Sequence, residues 1–109
     1  MIFIIGGAFQ GKTEYAKQQF GSSYEIVDHY HLCVREQLER GADCLLEAQR
    51  LLSTDRDLVI ISNEIGYGLV PMEAEERIYR ETVGRVNCFL AKEAEQVIRI
   101  VCGIGTRIK

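Results

Sequence analysis

The residues Gly6-Gly7-Ala8-Phe9-Gln10-Gly11-Lys12-Thr13 spell G-x-x-x-x-G-K-[ST] and follow directly on the apolar run Met1-Ile2-Phe3-Ile4-Ile5. This is the pattern of a phosphate-binding loop, in the strand-to-helix setting that such a loop needs. Glycines let the backbone curl so that successive amides point at a polyphosphate. The lysine carries positive charge to the outer phosphates, and the threonine hydroxyl can ligate the accompanying magnesium ion. On this reading Gly6, Gly7, Ala8, Gln10, Gly11, Lys12, Thr13 and Glu14 hold the nucleotide, Thr13 also takes Mg2+, and Lys12 acts in catalysis. The helix expected to open at Gly11 adds the positive end of its dipole to the same spot.

Two carboxylates extend the constellation. In an open parallel sheet the ligand sits beyond the carboxyl ends of the strands. Asp28 closes the stretch Ile26-Val27-Asp28, and Glu64 closes Ile61-Ser62-Asn63-Glu64. A carboxylate after an apolar strand suits magnesium, and a second one can orient or deprotonate a nucleophile. Asp28 is therefore assigned to the metal side and Glu64 to the base side; the competing reading of each is an acid in an ordinary solvated loop. His29, His31 and Cys33 fall at i, i+2 and i+4, which on an extended backbone puts three zinc-type ligands on one face. A fourth ligand is not evident, however, and one helical turn scatters the three, so lining of the site and plain loop or core roles stay open. Arg85 and Asn87 read either as site residues or as surface polarity of a helix. Neither a G-x-S-x-G elbow nor a Cys-His nucleophile signature is present.

The elements that must position these groups alternate. Strands are expected at the N-terminus, at 24–28, at 58–62 and at 96–102, with a short edge strand at 106–109. The continuous β-branched run Leu58-Val59-Ile60-Ile61 is of the kind covered on both faces. Leu38, Ala42, Leu45, Leu46 and Leu52 recur at helical spacing, with Gly41 splitting the segment and Asp43 capping its second half. A last helix is expected from Pro71 to Glu93 with Ile78, Val86, Phe89 and Leu90 inward. Strands alternating with helices predict an α/β protein: a mostly parallel sheet with helices on both faces, joined by right-handed crossovers.

At 109 residues and 47% hydrophobic, the chain reads as a single domain, 1–109, with a modest core that favours self-association. The net charge of −3, with Lys12 and Lys17 as the only Lys or Arg in the first 34 residues, argues against nucleic acid as partner. No stretch has the length of a membrane span, and the five-residue apolar start is too short for a signal peptide, so a cytoplasmic location is expected. Cys33, Cys44, Cys88 and Cys102 show no C-x-x-C pairing and read as reduced thiols, mostly buried.

Taken together, Gly6-Gly7-Ala8-x-x-Gly11-Lys12-Thr13, Ile26-Val27-Asp28, the S-N-E-x-G-x-G-x-V-P block from Ser62 to Pro71, Gly84-Arg85-Val86-Asn87 and the ending Gly103-Ile104-Gly105-Thr106-Arg107-Ile108-Lys109 resemble, in this order, the adenosylcobinamide kinase/adenosylcobinamide-phosphate guanylyltransferase family of cobalamin assembly. The resemblance implies a phosphate-loop, RecA-like fold, often assembled as a trimer. It implies phosphorylation of the adenosylcobinamide aminopropanol hydroxyl with ATP or GTP, followed by GMP transfer through a guanylyl-histidine. It places the triphosphate and magnesium on Gly6, Gly11, Lys12 and Thr13, with Asp28 and Glu64 as acidic partners and a corrinoid as co-substrate.

One departure is large. In the family, a strand and a helix carrying the guanylylated histidine precede the Val-Asp strand, whereas here only Phe20 to Tyr24 bridge that interval. His29 and His31 follow the Val-Asp strand and do not match the nucleophile by position. What remains is a kinase-only phosphotransferase or, alternatively, a nucleotide-binding sensor or assembly partner without catalysis. The guanine-reading N-K-x-D string is absent, which leaves the choice between ATP and GTP open.

Overall fold

The computed structural model describes residues 1–65 and 73–109. The elements run β1 Ile2–Gly6, α1 Lys12–Phe20, β2 Glu25–Val27, α2 Tyr30–Glu39, α3 Cys44–Leu52, β3 Leu58–Asn63, α4 Ala74–Glu93, β4 Gln96–Val101 and β5 Ile104–Arg107. The five strands form one sheet in the order β2-β3-β1-β4-β5, with β1 parallel to both of its neighbours and only β5 antiparallel. The expected α/β architecture is present. The expected helix start at Pro71 and the glycines of the S-N-E block lie outside the described residues, and α4 is described from Ala74.

Side-chain alternation along the strands sorts the core into two layers. Ile2, Ile4, Val59, Ile61, Ile98 and Ile100 face α1 and pack with Ala16, Phe20 and Tyr24. Phe3, Leu58, Ile60 and Val97 face the other way, onto Tyr30, Val34, Cys44, Ala48, Tyr79, Val83, Val86 and Leu90 of α2, α3 and α4. The central strands are therefore apolar at nearly every position, as a sheet covered on both faces requires. Register brings Gly6, Asn63 and Ile100 level with one another at the carboxyl edge.

Local signals explain the helix boundaries. Gly41 takes a left-handed φ of 72° just past α2, and the amides of Gly41 and Ala42 return to the carbonyls of Leu38 and Gln37. Asp43 then caps α3, its carboxylate accepting from the Leu46 amide at 3.1 Å.

Three packing expectations need correction. On α4 the buried stripe is Tyr79, Val83, Val86 and Leu90, so Ile78, one position out of phase, is 54% exposed. On α3 the small residues Cys44 and Ala48, four apart on one helical face, meet the core, and Leu45 and Leu46 turn outward. Of the cysteines, all four are free, but Cys88 and Cys102 are exposed. Among the described residues no helix is long and apolar enough to cross a membrane.

Two glycines mark opposite constraints. A Cβ on Gly105 would run into the ring of Tyr15, whereas one on Gly84 of α4 meets nothing within 4 Å. Gly105→Ala is expected to destabilise by about 1–3 kcal/mol through overpacking. Gly84→Ala is expected to stabilise by about 0.5–1 kcal/mol because it removes a helix-interior glycine. Urea unfolding of the two variants checks both signs, as shifts of midpoint at constant slope.

Candidate functional site

β1 ends in Gly6, and the chain turns sharply through 7–11 into α1. Gly6 is glycine because β4 crowds it: a Cβ there would meet the Ile100 carbonyl oxygen at 2.5 Å. Phe9 and Gly11 take left-handed φ values of 57° and 85°, which curl the loop. Inside the curl the Lys12 ammonium donates to the Gly7 carbonyl at 2.6 Å. Lys12 is buried, and burial lowers its pKa, opposed by the negative charges of Asp28 and Glu64. The two carboxylates thus flank a lysine that the fold has taken out of bulk water.

Asp28 follows β2 and reaches the start of α1. The Thr13 hydroxyl donates to Asp28 Oδ2 at 2.7 Å, and the His29 amide donates to Asp28 Oδ1 at 2.8 Å. These groups surround one cleft of about 360 Å³, lined by Ala8, Gln10, Gly11, Lys12, Thr13, Glu14 and Asp28, and also by Phe9, His29, His31, Ile61 and Asn63. The hydroxyl and carboxylate oxygens at Thr13 and Asp28 are hard donors of the type that suits magnesium.

Glu64 stands apart from that group. It pairs with Arg99 at 3.4 Å and lines an adjoining cleft with Gly7, Gln10, Ile100 and Cys102. Of His29, His31 and Cys33, the two histidines stay together, their ring centroids 5.9 Å apart and both lining the cleft of Lys12, Thr13 and Asp28, while Cys33 turns away. His29 takes φ 52° just before α2 and lies exposed beside Asp28, His31 is buried in the first turn, and Cys33 packs against the core. The helical turn that begins at Tyr30 takes Cys33 away from the two histidines. Asn87 reaches the end of β3, donating to the Asn63 carbonyl at 3.3 Å, and its Oδ1 is buried without a partner. Arg85 is on the exposed side of α4.

Two features of the site were not anticipated. Gln10 acts as a clamp: its side-chain carbonyl accepts from the Cys102 amide at 2.6 Å and its backbone carbonyl from the Gly103 amide at 2.8 Å. Cys102 and Gly103 both have positive φ, 51° and 76°, as a two-residue hairpin turn of the I′ type demands. The Cys-Gly pair ahead of an alternating tail was the available sign of that turn. The second feature is the hold of the Asn63 amide on the His31 ring; that the ring lines the cleft is one of the roles the sequence left open.

The sheet order and the G-K-T turn after the central strand are compatible with the phosphate-loop, RecA-like class of α/β folds. The chain belongs to the cobinamide kinase / cobinamide phosphate guanyltransferase family, whose model matches residues 25–108. That span begins at β2 and leaves Gly6–Thr13 outside it. Over 52 residues, 48% of this chain, it is 44% identical to the bifunctional adenosylcobalamin biosynthesis protein CobU of Salmonella typhimurium and, to the same degree, to that of Escherichia coli. The matched stretch is 29% of the length of either relative.

If Gln10 ties the loop to the hairpin, Gln10→Ala should free the Cys102 amide while the backbone bond to Gly103 persists. Hydrogen exchange at Cys102 is expected to speed up by roughly three- to tenfold, matching a bond of about 0.5–1.5 kcal/mol. An unchanged rate would show that the clamp contributes nothing.

Proposed function

We propose that residues 1–109 act as one nucleotide-binding unit, a kinase-type phosphotransferase of cobalamin assembly that uses ATP or GTP with Mg2+ and carries out no guanylyl transfer. The observation that carries this reading is the 2.7 Å Thr13–Asp28 hydrogen bond at the mouth of the G-K-T loop, beside a buried lysine. Thr13 and Asp28 would hold the magnesium, which when bound supplies charge neutralisation at the outer phosphates. The loop amides and Lys12 orient the triphosphate, with Lys12 exchanging its bond to the Gly7 carbonyl for phosphate oxygen. Glu64, across the loop, faces the side from which an acceptor hydroxyl enters and takes its proton. The acceptor that family membership suggests is a cobinamide-type corrinoid.

The absence of guanylyl transfer is supported by the connection between α1 and β2. The Ser23 and Tyr24 amides both return to the Phe20 carbonyl, at 3.1 and 3.0 Å, so the turn closes at once. An inserted strand and helix have no place there. The Arg99–Glu64 contact favours a second reading, a nucleotide sensor that transfers nothing, because the guanidinium occupies a carboxylate oxygen that an acceptor hydroxyl would need.

Incubation with adenosylcobinamide and γ-labelled ATP or GTP should move label to the corrinoid, and Glu64→Gln should slow this by roughly a hundredfold or more. α-Labelled GTP should leave no acid-labile, alkali-stable label on the denatured chain. Lys12→Ala should weaken triphosphate binding roughly ten- to a hundredfold by calorimetry. Binding without transfer to any corrinoid would favour the sensor.

Self-association as a trimer is part of the same proposal. β5 is an edge strand; Ile104, paired with Val101, and Ile108 just past its end are exposed, apolar groups of the kind subunit contacts cover. Light scattering at tens of micromolar protein should give three times the chain mass, and a monomer mass would refute it.

A further inference from the structure

His31 is 7% exposed, yet its ring lines the cleft that Lys12, Thr13 and Asp28 share. Its Nδ1 accepts from the Asn63 amide at 3.3 Å. A backbone amide can only donate, so Nδ1 is unprotonated and the ring proton sits on Nε2. The ring therefore has one hydrogen bond to offer, as a donor, and no lone pair left to act as base or nucleophile. Burial, with His29 and Lys12 nearby, holds its pKa below the usual histidine value and keeps it in this neutral form.

The segment that carries the ring is fixed from behind as well. The Tyr79 hydroxyl donates to the His31 backbone carbonyl at 3.0 Å. The Arg35 guanidinium lies 3.9 Å from the Tyr79 ring centre and grips Glu76 with two bonds, at 2.8 and 3.2 Å. α2 and α4 thus hold a buried donor in a set orientation at the end of β3. A preorganised donor beside a lysine suits an anion that is placed there.

We infer that His31 donates from Nε2 to the outermost phosphoryl group of the bound triphosphate and reads its presence. The inference rests on the cleft being the triphosphate site. The outermost group is the one indicated because inner phosphates belong to the loop amides, whereas the lysine of this pattern, whose charge acts on His31, reaches the outer ones.

Two substitutions separate this role from a purely structural one. His31→Asn keeps an acceptor near the Nδ1 position for the Asn63 amide and loses the donor. His31→Gln places a donor amide near the Nε2 position and loses the acceptor. With magnesium present, His31→Asn is expected to weaken ATP and GTP binding roughly tenfold or more while ADP and GDP change less than about twofold, and His31→Gln is expected to retain most of the triphosphate preference. In the unmutated protein, the His31 Nε2 nitrogen resonance should shift with MgATP and stay near its free position with MgADP, a test that needs no variant to fold. ATP affinity unchanged in His31→Asn, while Lys12→Ala still loses it, would overturn the inference alone, as would equal losses for tri- and diphosphate in both His31 variants. Unchanged ATP affinity in Lys12→Ala would overturn the cleft reading and this inference with it.

Discussion

The close approach of two backbones at the carboxyl edge of the sheet governs the rest of the arrangement. β1 ends against β4 so tightly that Gly6 has no room for a side chain, and Gly11 comes within reach of Gly103, whose Cα lies 3.4 Å from where a Gly11 Cβ would stand. Gln10 closes the gap with both of its carbonyls. A loop whose amides must point inward cannot satisfy its outward groups alone, and the β4–β5 turn supplies the partners. The short hairpin at the end of the chain is thereby a support for the loop at its beginning.

Held in this way, the loop presents Lys12 to one cleft and its Gly7–Gln10 flank to another. The carboxylates are divided between them: Asp28 with Thr13 on one side, Glu64 with Arg99 on the other. Lys12 lies within the field of both, which offsets the cost of burying its charge.

α2 and α4 add a second layer of control. They pack on the face opposite α1 and meet through Tyr79, Arg35 and Glu76 behind the cleft. Phe9 is the unsupported element: a phenyl ring fully in solvent at a left-handed φ, where glycine would be free of strain.

Much of this was legible in the sequence. Apolar strand runs, Gly41 with Asp43, and the G-K-T string at the end of β1 each depend on interactions within a few residues, so pattern alone located the described helices, the loop and the strands, except that the edge strand runs over Ile104–Arg107 rather than 106–109. The family followed from motifs at the strand ends, and the match over residues 25–108 bears that out. What pattern could not supply is anything set by neighbours distant in the chain. Ile78 obeys helical spacing yet points outward because the phase of α4 is decided by what it packs against. Glu64 and Asp28 follow adjacent strands yet line different clefts, because Asp28 is bonded to Thr13 at the start of α1 while Glu64 pairs with Arg99 of β4. Gln10 bonds to Cys102 across 92 positions, and the His31 tautomer is set by an amide 32 positions away. Local periodicity determined which residues form the elements; the sheet order, which puts β1 between β3 and β4, decided which of them meet.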